Sequence, residues 1–175
     1  MKLLTFAWGA LYRRYAERLK LSCELAGLEL EVVSRDGEAP SREAAWAARP
    51  AILLKALDAG EPVLYLDADS MIRRAPEFDK MIPPGVDFAA VEDTNRRWRL
   101  SVLWIEPTAW ARQVLGELDI AQSGPNPTND ELLFPAIVRS VGAKVYSLPP
   151  TYAWVEKWGD RQTHGNCRPV IEVNA

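Results

Sequence analysis

The segment Val63-Leu64-Tyr65-Leu66 constrains the fold more than any other, because it is apolar at every position and not only at alternate ones. An extended chain of that kind must be covered on both faces, which places it in the middle of a sheet with helices above and below. It closes on Asp67-Ala68-Asp69, so two carboxylates one residue apart stand at the C-terminal end of a buried strand. In open α/β sheets that end is where ligands bind. Two acids on the same side of an extended chain repel unless a cation lies between them or one takes a proton. Mg²⁺ or Mn²⁺ meets that need, since these hard ions favour carboxylate oxygens and complete their shells with phosphate oxygens and water. The structural alternative is a solvated acidic pair with capping duties.

The rest of the chain alternates strands and helices around this centre. Leu3 to Trp8 reads as a strand, and Leu11, Tyr12, Tyr15, Ala16, Leu19, Cys23 and Ala26 recur at helical spacing up to a cap at Gly27. Leu28 to Ser34 alternates as a second strand. Ser41 suits the cap of a short helix through Trp46, Pro50 the first turn of another, and Gly60 its end. Strands follow at Asp87 to Val91, Leu100 to Ile105 and Lys144 to Leu148, with helices from Pro107 to Leu118 and from Asn129 to Val141. The order predicts a three-layer α/β/α domain with a mostly parallel central sheet. A chain of 175 residues, 48% of them hydrophobic, is read as one domain, residues 1–175, with an irregular tail from about residue 149.

Composition narrows the function. A formal charge of -3 argues against a broad nucleic-acid surface, and no apolar run approaches the roughly 20 residues of a membrane span. The apolar start meets Arg13 and Arg14 too soon for a signal peptide, so a cytoplasmic location is expected. Two cysteines, Cys23 and Cys167, form no zinc pair. Cys23 reads as a small core residue.

Arg49-Pro50-Ala51-Ile52-Leu53-Leu54, then the strand closing on Asp67-Ala68-Asp69, resembles the GT-A glycosyltransferases, in particular the nucleotide-diphospho-sugar transferase group with its Lys-Pro helix and Asp-x-Asp motif. The resemblance implies a GT-A fold and a hexosyltransferase-like enzyme that moves a sugar from a nucleotide-diphosphate sugar, UDP-sugar favoured, to an acceptor hydroxyl with Mn²⁺ or Mg²⁺. It implies that Asp69 binds the metal, that Asp67 reaches the ribose or the metal's shell, and that the peptide through Ala68 lies against the donor. Arg49, where the family has Lys, keeps a charge suited to diphosphate; a structural ion pair is the alternative. Leu100-Ser101-Val102-Leu103-Trp104-Ile105 is similar to the family's strand lining the sugar pocket, which brings in Ser101, although Val102 stands where Gly is usual. The end of the first strand, Thr5-Phe6-Ala7-Trp8, would receive the base, with Trp8 or Tyr12 stacking on it or packing in the core. Asp36 would reach base or ribose, or serve the Asp36-Gly37 turn.

Thr128-Asn129-Asp130-Glu131 looks like the family's acidic helix start, whose carboxylate faces the reacting carbon. Thr128 and Glu131 also make a capping box, which would leave Asp130 freer, while the family's acidic pair favours Glu131. Both stay open, as does inversion or retention. His164, the one histidine, is the candidate third metal ligand. Arg96-Arg97-Trp98-Arg99 is either a solvated loop or a phosphate or acceptor contact. Trp104 and Trp110 read as core; Trp98, Trp154 and Trp158 sit in presumed loops able to stack on sugars. So short a chain leaves little for an acceptor domain, so an oligomer or partner would complete that site.

Two other readings compete. An apolar strand ending in Asp-x-Asp also opens haloacid-dehalogenase-like phosphohydrolase sites, with Asp67 as nucleophile, although Met71 is atypical there. A non-catalytic nucleotide-sugar-binding module is the third.

Overall fold

The computed structural model describes residues 1–93, 96–124, 127–153 and 169–173. In chain order the elements are β1 (Lys2–Trp8), α1 (Ala10–Leu25), β2 (Leu30–Arg35), α2 (Arg42–Ala56), β3 (Val63–Asp67), β4 (Ser70–Ile72), α3 (Phe78–Met81), β5 (Phe88–Glu92), β6 (Trp98–Ile105), α4 (Ala109–Gln122), α5 (Asp130–Val141), β7 (Val145–Leu148) and β8 (Ile171–Val173). Six strands form a mixed, mostly parallel sheet in the order β2-β1-β3-β6-β5-β7. Only β6 runs against its neighbours β3 and β5. β4 and β8 form a separate antiparallel pair.

The all-apolar strand lies at the centre. Along β3 the side chains alternate between two cores, Val63 and Tyr65 facing one and Leu64 and Leu66 the other. The first core is closed by α2, α4 and α5 through Leu53, Val114, Leu118, Phe134 and Val138. The second takes Leu19 and Cys23 of α1 together with Ile72, Phe78, Tyr152 and Ile171. The expected layering of helices on both faces is therefore present.

Several local expectations need correction. α2 is one helix, not two, and Pro50 lies inside it. Proline cannot donate to the Trp46 carbonyl, yet Ala48, Arg49, Pro50 and Leu53 are all buried, and that packing keeps the helix continuous. Ser41 does cap it, accepting a hydrogen bond from the Ala44 N–H at 3.1 Å. At α5 the cap is Asn129 rather than Thr128: its Oδ1 accepts from the Glu131 N–H at 2.9 Å, so no Thr128–Glu131 box forms. Trp110 is 52% exposed on α4 and not core, whereas Trp104 is buried. The basic run is split, with Arg99 buried in β6 and donating to the Ala153 carbonyl at 2.6 Å.

Gly9, between β1 and α1, has φ 93°, a left-handed conformation that glycine adopts without strain. A Cβ there would also collide with the Glu38 carboxylate. That carboxylate accepts from the Ala10 N–H at 2.9 Å and so completes the start of α1.

Candidate active site

A cavity of about 310 Å³ opens at the C-terminal ends of β1 and β3. Phe6 and Trp8 come from β1, Tyr12 from α1, Trp46 from α2 and Tyr65 from β3, giving it aromatic walls. Asp67, Ala68 and Asp69 line it from the loop after β3, Ser101 from β6, and Asn129 and Glu131 from the start of α5. Arg42, Ala45, Arg49 and Val173 complete the lining.

The electrostatic centre follows from strand periodicity. Asp67 is two residues beyond Tyr65, so both side chains leave β3 on the α2–α5 side. The Tyr65 hydroxyl donates to Asp67 Oδ1 at 2.8 Å. Arg49 of α2 donates to the same oxygen at 3.1 Å and makes a two-pronged contact with Asp130 of α5, at 2.8 Å from Nε and 2.6 Å to Oδ1. Its guanidinium also lies over the Tyr65 ring, 5.4 Å from the centroid. Arg49 is 5% exposed and Asp130 2%, so the pair is buried, with Arg49 reaching the cavity wall and Asp130 behind it. Burial lowers the Arg49 pKa, but Asp130 and Asp67 outweigh it and hold the guanidinium firmly charged. Burial and the Asp67 carboxylate push the Tyr65 phenol well above its ordinary value, so the hydroxyl stays a donor.

The two acids at the start of α5 have different surroundings. Asp130 is locked in the Arg49 fork and is absent from the cavity lining, so it is not the freer acid. Glu131 lines the cavity, and its Oε1 accepts from the Leu100 N–H at 3.1 Å. Burial raises its pKa above the usual glutamate value. Arg49 forms ion pairs with Asp67 and Asp130 and also lines the cavity.

Other expected residues are dispersed. Thr5 is fully buried and spends its hydroxyl on the Leu66 carbonyl at 2.7 Å, within the sheet. Ala7 is buried against Ala16 and Ala68 on the opposite side. Asp36 is exposed and not part of the lining. Phe6, Trp8, Tyr12, Ala68 and Ser101 do reach the cavity. Val102 points into the opposite core, so its bulk does not narrow the cavity. His164, Trp154 and Trp158 lie outside the described residues. Sequence reasoning missed Trp46 and Arg42, adjacent in space with the Arg42 guanidinium 4.9 Å from the Trp46 ring centroid. The pairing of an aromatic and a cation one helical turn apart on α2 was the available signal.

Among the described residues no group of three or more His, Cys, Asp or Glu side chains converges as a ready metal site. The donor chemistry nevertheless suits a hard divalent ion: Asp67 and Asp69 both line the cavity with oxygen donors, while Arg49 is already shared between Asp67 and Asp130. Mg²⁺-like ions are commonly held by one or two carboxylates with substrate phosphates supplying the rest.

This architecture, with a mixed α/β sheet and a cavity at the end of its central strand, is the fold of the GT-A glycosyltransferases. The chain is similar over 99% of its length, with a TM-score of 0.72 and 11% identity, to a glycosyltransferase involved in glycosylation of the major capsid of PBCV-1, covering 92% of that structure. It is also similar to the galactosyltransferase LgtC in complex with donor and acceptor sugar analogues, with a TM-score of 0.62, 14% identity and 99% of this chain matched to 86% of that one. GlyE of Streptococcus pneumoniae TIGR4 matches 99% of the chain with a TM-score of 0.64 and 15% identity, and the chain spans 54% of that protein. At such identities the likeness is one of fold. No protein-family model and no curated protein matches the sequence.

Proposed function

We propose that the protein is a metal-dependent glycosyltransferase that moves a sugar from a nucleoside-diphosphate sugar to an acceptor hydroxyl. The observation that carries this reading is that Asp67, Asp69 and Glu131 all line one aromatic-walled cavity in a GT-A fold. A UDP-hexose is the favoured donor, from the motif resemblance and from the likeness to a galactosyltransferase. The cytoplasm is the expected compartment.

In this reading Asp69 and Asp67 hold Mn²⁺ or Mg²⁺, which when bound neutralises charge on the departing diphosphate. Arg49 and Tyr65 fix Asp67 through its Oδ1. Trp8 and Tyr12 offer ring faces to the base, and Ser101 offers a hydroxyl to the sugar. The acceptor oxygen forms a bond to the anomeric carbon as that carbon's bond to the diphosphate oxygen breaks. Glu131 is the cavity carboxylate able to take the acceptor's proton, and burial raises its pKa above the usual glutamate value, which makes it a stronger base than a solvated carboxylate.

A thermal-shift panel of UDP-, GDP-, CMP- and dTDP-sugars, with and without Mn²⁺, tests the proposal on the native chain and on Asp69→Ala. A ligand that binds only the folded state stabilises it by mass action, about 2.7 kcal/mol at a hundred times Kd. One nucleotide should raise Tm, and that rise should need both Mn²⁺ and Asp69. Stabilisation by none, or stabilisation indifferent to metal and Asp69, would overturn the reading. Phosphomonoester hydrolysis abolished by Asp67→Asn would instead establish the phosphohydrolase.

A further inference from the structure

α1 turns Ala16, Leu19 and Cys23 into the protein, and on its other side Leu11, Leu21 and Leu25 are 54, 58 and 83% exposed. At 3.6 residues per turn, Leu11, Arg14, Arg18, Leu21 and Leu25 fall within an arc of about 80°. Arg14 and Arg18 are exposed and pair with no described residue. The helix carries Arg13, Arg14, Arg18 and Lys20 against Glu17 and Glu24, an excess of two positive charges in a chain whose total is -3. Glu17 and Glu24 lie on one flank, beside Lys20 and Arg13, and the Arg13 guanidinium is turned to the Arg35 carbonyl at 3.2 Å. The outermost strip is therefore leucine and unpaired arginine.

From this pattern we infer that the outer face of α1 docks on a lipid bilayer bearing anionic headgroups. Leucines separated by arginines match that surface: the apolar side chains enter the acyl boundary while the guanidiniums stay at phosphate level. A second copy of the chain fits poorly. A parallel two-fold pairing of α1 sets Arg14 and Arg18 against their own counterparts, and the helix's excess of positive charge opposes such a pair in either orientation. Scattered single leucines need no partner, but three on one face with cations between them form a patch. Tyr12, next to Leu11, lines the cavity, so docking would hold the cavity rim near the headgroups.

Cosedimentation of the full chain with vesicles of phosphatidylcholine alone, and of phosphatidylcholine mixed with phosphatidylglycerol, reads this directly and independently of any sugar chemistry. Binding should appear on the mixed vesicles, weaken with salt, and fall about tenfold or more in Arg14→Glu/Arg18→Glu and in Leu21→Ser/Leu25→Ser, with Tm unchanged. Ile120→Ser, another exposed apolar position on α4, should bind as the native chain does. Absence of binding to anionic vesicles, equal binding by the α1 variants, or a dimer in sedimentation equilibrium that Leu25→Ser dissolves would each overturn the inference.

Discussion

At the scale of single residues, the Arg49 guanidinium decides how the site is held, because it joins α2, the end of β3 and the start of α5 through Asp67 and Asp130. Removing one member of a buried pair strands the other's charge, which typically costs about 3–5 kcal/mol. Arg49→Met should therefore lose about that much in urea unfolding, because Asp130 would be left 2% exposed without its partner. The double variant Arg49→Met/Asp130→Leu should recover most of the loss; strict additivity of the two single variants would refute the coupling. Glu131 yields a second prediction, through pH. Burial raises its pKa above 4.5, so between 4.5 and the raised value the folded state binds more protons than the unfolded state. Stability then falls as pH rises through that window and is fully present only below it. Glu131→Gln keeps an oxygen for the Leu100 N–H and removes this slope. The variant's gain over the native chain should grow with rising pH and then level off; a gain constant from pH 4 to 8 would contradict the assignment.

At the scale of elements, the long-range joints are made by caps. Thr108 accepts from the Ala111 N–H at 3.1 Å at the start of α4 and donates to Asp87, whose other oxygen accepts from the Lys144 N–H at 2.8 Å ahead of β7. Thr108→Ala removes a cap and leaves a buried carboxylate oxygen short of a donor, so a loss of about 2 kcal/mol is expected in urea unfolding. Thr108→Ser should restore most of it, and failure to do so would point to the methyl group instead of the hydroxyl. Elements of this length were legible in the sequence because period and caps coincide: α1 ends at Leu25, two residues before the positive-φ Gly27, the turn after α2 ends at Gly60, and β3 is apolar from Val63 to Leu66. β4 was not legible, since three residues, Ser70-Met71-Ile72, show no period. Nor could spacing reveal that Asp130 would find Arg49, 81 positions away, or that Asn129 would take the cap and leave Glu131 to the Leu100 N–H. The Asp67-Ala68-Asp69 loop was readable because strand burial and charge both marked it; the partners of its side chains depend on tertiary packing.

At the scale of the whole molecule, the two ends of the chain meet at the same cavity, β1 through Phe6 and Trp8, and β8 through Val173. β8 pairs with β4, which begins directly after Asp69, in the register Ser70 with Val173 and Ile72 with Ile171. Arg73 reinforces the pair through Glu172 at 2.6 Å. The acidic loop is thus held between β3 in the large sheet and a small sheet whose second strand arrives about a hundred residues later. Ile171 is fully buried, and truncating such a side chain to alanine costs about 2–5 kcal/mol. Leu118 of α4 is 2% exposed in the other core and serves as a control of similar cost. If β8 positions the loop, Ile171→Ala should weaken binding of a nucleoside diphosphate with Mn²⁺ several-fold by calorimetry at a temperature where the variant remains folded. Leu118→Ala, equally destabilised, should bind nearly as the native chain does. Equal affinities in the two variants would mean that β8 supports only the stability of the fold, whereas selective loss in Ile171→Ala would show that closing the small sheet sets the geometry of Asp67 and Asp69.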